Sequence, residues 1–487
     1  MKNVSSVRLA GYVLMLLVLT AGCDMGQPDA NQPPDTQFFV EEIPLPDSLR
    51  LNTVVSLYWL GSDPDGYVKG YELSVDGGEW LYTTSTDSTF RFDLTDGNEL
   101  DDIMVQVRAV DNLGLADPEP AELLVPIRNR PPDASFDDSP GIPDTVGPVF
   151  SFTWTVTDLE GDFTLDSIFL KLNEGAWYAF SPDVEFVTLL ADEPAVSGEQ
   201  FARVYVGGQA DELAAKISGL INGGSNQLFL QARDISGSMS EVDSSRIFFV
   251  KNQNSDLLVI NGHGRAAASN TTRAVLDAVA TDGYDWLDIR DNLPSFWDPT
   301  FTLYLQLYGR IYWFDDGTPI AGQGDVYLLE QAANSFQAYL NNGGKLMVST
   351  TFSTVFDNAA RQAQSLIFDF SPADSLSSAP GQARIPRGGP LAGVGIFSEQ
   401  DTLFKDNLSL LTGADPFYPK NPENVLFEAD LVEVGGWTGP NTVAARSTFT
   451  NNETNQVFFS VELHLFNGDI DALESLFDRV LNDEFNW

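Results

Sequence analysis

A single cysteine and two histidines occur in the 487 residues. The lone Cys23 excludes an intrachain disulfide and a thiolate metal cluster. His263 and His464 are the whole imidazole supply. A catalytic zinc site draws on several His or Cys ligands, so composition argues against zinc. Cations are scarce too: 26 Lys and Arg stand against 70 Asp and Glu, a formal net charge of −44. Nucleic acid is a poor partner for such a chain, because binding it takes a cationic surface. An anionic membrane surface is equally poor as an electrostatic partner. Two readings of the charge remain: a solvated surface that keeps an extracellular protein soluble, or adaptation to high salt, where screening relieves self-repulsion. No organic cofactor is indicated, and abundant carboxylates leave calcium as the metal that composition permits.

Long apolar runs are missing as well. Lys2 and Arg8 precede Leu9–Leu19, which is too short to span a bilayer and reads as the core of a signal peptide, residues 1–22. Thr20-Ala21-Gly22-Cys23 follows. Small residues directly before a cysteine resemble the lipobox of bacterial lipoproteins, although Thr20 departs from the commoner Leu. The resemblance implies cleavage before Cys23 and lipidation of its sulfur, with palmitate-type chains as the membrane anchor. The alternative is plain signal cleavage that leaves a free thiol. Residues 23–36 are polar and Pro-rich, a flexible tether.

Two segments then repeat one another. Trp59 stands four residues before Asp63 and Trp154 four before Asp158, with Gly66 and Gly161 in matching places. Each copy closes with an alternating strand and a turn, Met104–Gly114 and Leu228–Gly237. Alternation with short Gly, Asp and Asn turns predicts antiparallel β-sandwiches over 37–128 and 129–252. The copies resemble immunoglobulin-like and fibronectin type III modules of bacterial surface proteins. Trp59 and Trp154 are expected in the sandwich cores. The turn carrying Asp63 and Asp65 offers carboxylates for calcium, or a plain Asx turn. The second copy carries an insertion, about Leu189–Gly224, with a helical patch expected at Asp211–Ile221.

Residues 253–487 read differently. Asp256–Ile260, Tyr284–Ile289, Ile311–Phe314, Lys345–Thr350 and Gln456–Leu463 are apolar runs of strand length. Val326–Leu340 has helical periodicity and stops at Asn341-Asn342-Gly343-Gly344, residues that suit a left-handed cap. A second helix is expected from about Asn270 to Ala280, capped by Asn270 or Thr271, and a last one over Ile470–Leu481. Strand, helix and strand make parallel crossover units. Val425–Ala429 and Val443–Ser447 are candidate antiparallel strands, and 369–422 reads as an irregular insertion. The expected fold is therefore two all-β immunoglobulin-like sandwiches followed by an α/β three-layer domain, flavodoxin-like with a mostly parallel sheet.

The stretches Asn261–Gly264, Gly309–Gly317, Asn341–Ser349 and Val457–Phe466 resemble the class I glutamine amidotransferase-like superfamily. The resemblance implies a nucleophile elbow after the fourth strand, near Ser349, Thr350 and Thr351, where no cysteine stands. It implies a catalytic histidine after the last strand, where His464 stands. The acidic partner expected two residues on is Phe466. A glutamine-hydrolysing triad is thus broken at two of three points. A hydroxyl nucleophile, Ser349 or Thr351, with His464 as base and Glu462 or Asp469 as orienter, is the remaining catalytic arrangement. Otherwise His263, Asp315, Asp316 and His464 line a polar ligand site beyond the strand ends. Tyr312, Trp313, Trp286 and Trp297 either stack on sugar rings there or are core. The expected function is a membrane-anchored, extracytoplasmic binding or scaffolding lipoprotein with a glycan or envelope-protein ligand. The alternatives are a hydrolase using His464 and a purely structural surface component.

Overall fold

The computed structural model describes residues 30–39, 51, 53–92, 100–208, 211–290, 293–320, 326–352, 365–406 and 411–485. Cys23 and the expected signal segment lie outside the described residues. Two compact units emerge: Met1–Pro131 with Asp158–Thr164 and Ile235–Ser238, and Pro132–Thr157 with Leu165–Asp234 and Met239–Trp487. No described helix is long and apolar enough to cross a membrane.

The first unit holds a seven-strand sandwich: β1 (Asp35–Phe39), β2 (Val54–Ser62), β3 (Val68–Val75), β4 (Leu81–Thr83), β5 (Asp87–Arg91), β6 (Leu100–Asp111) and β7 (Ala121–Arg128). One sheet runs β1-β2-β5 and the other β4-β3-β6-β7. Alternation in β2 sends Val55, Leu57 and Trp59 inward and Ser56, Tyr58 and Leu60 outward. Strand β1 begins at Asp35, inside the stretch expected to be tether. The reason is that Asn31 and Gln32 are already tied down: Asn31 Nδ2 donates to Asp111 Oδ2 at 2.5 Å and the Gln32 amide to Asp65 Oδ2 at 3.1 Å.

The second sandwich repeats this order. Its strands are β8 (Asp133–Phe136), β9 (Val149–Thr157), β10 (Leu165–Leu172), β11 (Tyr178–Phe180), β12 (Phe186–Ala191), β13 (Gly198–Val206), β14 (Ile217–Asn222), β15 (Leu228–Asp234) and β16 (Asp243–Ser244). The sheets run β8-β9-β12-β13-β14 and β11-β10-β15-β16. First, second and fifth strands share a sheet in both copies, joined in the second copy by β13 and β14, and the remaining four form the other. This is the strand order of fibronectin type III-like modules. Strands β13 and β14 are the insertion, placed between the fifth and sixth strands. The helix expected over Asp211–Ile221 is not formed. Asp211–Glu212 and β14 both pair with β13, where Ile217 and Leu220 are fully buried and Gly219 takes a φ of +94° that breaks a helix.

Both tryptophans are core residues, each about 2% exposed. Their indole N–H groups make equivalent bonds, Trp59 Nε1 to Ser85 O at 3.0 Å and Trp154 Nε1 to Val184 O at 2.7 Å. The repeat therefore extends to how each indole is satisfied. In the loop that follows β9, Asp158 and Glu160 are buried, and Asp158 Oδ2 and both Glu160 carboxylate oxygens have no hydrogen-bond partner. Burial, with Asp158 alongside, pushes the Glu160 carboxyl up to about 7; Arg130, 4.0 Å away, opposes this only in part.

The α/β domain is built on a nine-stranded sheet. Its strands are β17 (Leu257–Gly262), β18 (Asp285–Asp288), β19 (Arg310–Asp315), β20 (Lys345–Ser349), β21 (Pro390–Gly393), β22 (Leu403–Phe404), β23 (Val425–Ala429), β24 (Thr442–Thr448) and β25 (Thr454–Phe459). The order is β18-β17-β19-β20-β25-β24-β23-β21-β22. The first five strands are parallel and the last four antiparallel, so the sheet is mixed rather than mostly parallel. Two strands, the edge strand β22 and its neighbour β21, come from the stretch expected to be irregular. They were hidden because β21 and β22 are too short to display a period, although Leu391 and Leu403 are fully buried.

Helices cover both faces. Along β17, Leu257 and Val259 enter one core with α1 (Ala266–Val279) and α3 (Ile470–Asp478), while Leu258 and Ile260 enter the other with α2 (Ala333–Asn341). Helix α1 starts four residues before the expected cap, because Ala266-Ala267-Ala268 are strong helix formers. Helix α2 ends as its sequence implies, with Gly343 at a φ of +90°.

Two measurements check this account. Trp154→Ala should lower unfolding stability by about 3–5 kcal/mol, read by urea titration of intrinsic fluorescence. The Glu160 carboxyl sits above its unfolded value near 4.5, so its protonated form favours the folded state. Stability should therefore fall as pH rises from about 4.5 to about 7. Melting curves at pH 5 and pH 8 should differ in that direction, and Glu160→Gln should shrink the difference.

Candidate functional site

The parallel strands end side by side, so the residues just beyond β17, β19, β20 and β25 meet at one edge. Asn261 sets the first of these loops. Its side chain donates to Asp288 Oδ2 at 3.0 Å and accepts from the His263 amide at 3.0 Å. The His263 ring is turned inward, 4% exposed. Its Nδ1 accepts the Arg265 amide at 3.0 Å, which places the proton of the neutral ring on Nε2. That Nε2 donates to Glu462 Oε2 at 2.8 Å.

Glu462 and His464 follow β25, with His464 in a short 3-10 turn, Leu463–Leu465. His464 Nδ1 lies 3.7 Å from Glu462 Oε2. The two imidazoles meet edge to face, ring centroids 4.8 Å apart at 86°. Burial pushes the His464 imidazole down to about 4 although Glu462 pulls the other way; His263 and Arg265 add to the depression. The second imidazole is thus neutral at ordinary pH.

Asp315 and Asp316 have different duties. Asp315 is buried and fully engaged: Oδ2 accepts from Trp313 Nε1 at 2.7 Å, and Oδ1 accepts from the Gly317 amide at 3.0 Å and from the Thr350 hydroxyl. Burial raises its carboxyl to about 6 against those bonds. Gly317 completes the turn at a φ of +57°, where an added Cβ would lie 1.9 Å from Thr351 O. Asp316 faces the cluster. It accepts from the Gly264 amide at 3.2 Å, Arg290 Nη1 at 3.2 Å and the Thr318 hydroxyl at 2.5 Å. Burial alone would raise its pKa. The Thr318 and Gly264 bonds and the positive charge of Arg290 outweigh that and hold it below the usual carboxylate range. Its Oδ2 stands 3.9 Å from His263 Nδ1.

The candidate nucleophiles are committed to the main chain. Ser349 Oγ donates to Val461 O at 3.0 Å and accepts from the Leu463 amide at 3.0 Å, clamping the turn that carries His464. Thr351 Oγ1 donates to Asp316 O at 3.0 Å. Asp469, the other candidate orienter, is the N-cap of α3 and accepts from the Ala472 amide. Phe466 is buried. The structure therefore brings together His263, Asp316, Glu462 and His464, and gives Asp315, Ser349 and Thr351 local structural bonds. Two participants went unread in the sequence. Arg290 follows β18 and was open to the same strand-end reasoning. Asp415 comes from the region read as irregular; it accepts from the Phe352 amide at 2.9 Å, and burial with Glu462 nearby raises it to about 7.

Other expected residues lie elsewhere. Tyr312 and Trp313 are core, 1% and 0% exposed. In the turn that follows β2, Asp65 accepts the Gln32 amide, and its own amide reaches Asp63 Oδ1 at a long 3.4 Å, the Asx-type pattern. Trp286 borders a separate cleft of about 680 Å³ between the second sandwich and the α/β domain. Phe296, Tyr304, Tyr308, Asp285 and Asn254 also line it.

No family model matches the chain, and no curated protein matches it. Among solved structures, it is similar to fibronectin(III)-like modules of Clostridium thermocellum CbhA, at 13% identity over 45% of this chain and 94% of that one, with a TM-score of 0.16. A two-domain fibronectin type III segment of chicken tenascin matches at 14% identity over 45% and 99%, with a TM-score of 0.17. The Bacteroides ovatus mixed-linkage glucan utilization protein SGBP-B, in complex with a heptasaccharide, matches at 10% identity over 45% and 71%, with a TM-score of 0.14. The fold assignment rests on the strand order described above.

Ser349→Ala would strip Val461 O and Leu463 N of a buried partner. It should cost about 1–3 kcal/mol in thermal or denaturant unfolding. Ser349→Thr, which keeps the hydroxyl, should recover part of that loss.

Proposed function

We propose that this chain is an exported, lipid-tethered binding or scaffolding protein of the cell envelope. The fibronectin type III-like modules act as spacers. The α/β domain, flavodoxin-like in its five parallel strands and amidotransferase-like in its strand-end motifs, is the presented part and is catalytically degenerate. One observation carries the choice of binding over hydrolysis: the Ser349 hydroxyl is held between Val461 O and the Leu463 amide, where a nucleophile would have to be free. The absence of cysteine beyond Cys23 points the same way.

A glycan is the ligand class that the chemistry of the cleft supports. Its volume, about 680 Å³, falls in the small-ligand range. Trp286 and Phe296 in its lining offer apolar aromatic surface for sugar C–H groups, and Asp285, Asn254 and Lys251 offer groups for hydroxyls. An envelope protein docking on the same domain is the other partner class.

The test is affinity electrophoresis of the full chain through gels containing a panel of plant and bacterial polysaccharides. At least one should retard it, with affinity falling about tenfold or more in both Lys251→Ala and Trp286→Ala. Circular dichroism would check that the tryptophan variant still folds, since Arg273 packs 3.6 Å above that ring. Retardation by none of the panel would remove the glycan reading. Hydrolysis of glutamine or of simple esters that disappears in His464→Ala would overturn binding in favour of a hydrolase.

A further inference from the structure

We propose that His263, Glu462 and His464 form a binding site for a divalent ion of the zinc class, separate from the aromatic cleft. The chain has two histidines, and they lie far apart in the sequence. Folding brings both to one place beside one glutamate, with the three ligand atoms within 4.8 Å of one another. A plain His–Glu hydrogen bond explains the His263–Glu462 pair. It does not explain a second imidazole edge-on to the first, with its Nδ1 3.7 Å from the same carboxylate oxygen.

Two imidazoles and one carboxylate suit borderline ions such as zinc, cobalt(II) or iron(II). Calcium and magnesium favour all-oxygen sets. Bonds of about 2.0–2.2 Å in a tetrahedral centre hold neighbouring donors roughly 3.3 Å apart. The His263–Glu462 distance of 2.8 Å would open a little, the His464–Glu462 distance of 3.7 Å would close a little, and donors up to 4.8 Å apart would draw together by as much as about 1.5 Å. Three protein ligands leave a fourth position for water or another ligand.

A metal-bound histidine usually hands its other ring N–H to a carboxylate or carbonyl, and Asp316 is a carboxylate near His263 that could take it. With the ion on Nε2, a neutral His263 would carry its proton on Nδ1, so the Arg265 amide that donates to this atom at 3.0 Å would have to give up that bond. Asp316 Oδ2 stands 3.9 Å from that atom and is held in place by Gly264 N and Arg290 through its two oxygens. Ser349 fixes the turn that carries His464, and Asn261 fixes the loop that carries His263. This explains why the strand-end hydroxyl is structural here: it positions a ligand-bearing turn. Composition argued against zinc by counting histidines over the chain, whereas the donor set depends on where they meet.

The experiment uses the full chain without a polyhistidine tag, stripped with a chelator and titrated with Co²⁺ and then Zn²⁺. One Co²⁺ per chain should give visible d–d absorption bands, and one equivalent of Zn²⁺ should abolish them. Affinity should fall by a hundredfold or more in His263→Ala and in His464→Ala. Asp316→Asn should cost about ten- to a hundredfold as a positioning effect, while leaving the one-to-one stoichiometry intact. Glu462→Gln, which keeps a neutral oxygen and adds an N–H, guards against misfolding as the cause of lost binding; it should weaken the bands without lowering the metal-free melting temperature by more than a few degrees. No bands at millimolar Co²⁺ would overturn the proposal, as would bands that persist in both histidine variants. Polysaccharide retardation is read on the same metal-free protein, so this proposal and the glycan reading fail independently.

Discussion

Asp315 holds the working edge of the α/β domain together. One carboxylate accepts from its own strand at Trp313, from its own turn at Gly317 and from the neighbouring strand at Thr350. Where parallel strands end, their last polar groups leave the sheet in a nearly dry environment and each needs a partner. Asp315 does this for β19 and β20, Ser349 for β20 and the segment after β25, and Asn261 for β17 and β18. With the backbone ends fixed in this way, the remaining side chains at the edge, His263, Asp316, Glu462 and His464, are held at defined mutual distances. The arrangement of the cluster depends on bonds made by residues that are not part of it.

The sandwiches obey a simpler constraint. Each must bury a large indole and still satisfy its N–H, and both do so with a backbone carbonyl in the segment before the fifth strand. Tryptophan on the second strand then organises the rest of each core, with Tyr71 beside Trp59 and Phe180 beside Trp154. The strong negative charge is carried mainly by exposed positions. The departures, Asp158 with Glu160 and the carboxylates of the strand edge, are local and differ in outcome. At the edge, amides, hydroxyls and Arg290 outweigh burial for Asp316 but not for Asp315, which stays raised to about 6, and Glu160, with Arg130 opposing only in part, is raised to about 7.

Much of the architecture was legible beforehand. The repeated tryptophan and aspartate spacing gave two sandwiches, and their strand orders agree with one another. The apolar runs gave the five parallel strands, each within a few residues of its observed limits. What escaped was short or locally ambiguous. Strands β21 and β22 have too few residues to show alternation. Asp211–Ile221 carries apolar residues at helical spacing, yet pairs with β13 because the edge of an existing sheet offers main-chain partners that an isolated short helix lacks. Helix α1 began early because a run of alanines outweighed the capping signal at Asn270.

The same division applies to the site. By itself the sequence determined the supply: one cysteine, two histidines, no nucleophile of the amidotransferase kind, and four strand ends at which polar residues collect. Those are properties of composition and of local periodicity, which neighbouring residues settle among themselves. Only the tertiary structure decided who meets whom. His263 and Glu462 are 199 positions apart and touch because β17 and β25 lie in one sheet with β19 and β20 between them. No local pattern encodes that juxtaposition, since it follows from the order in which the strands assemble.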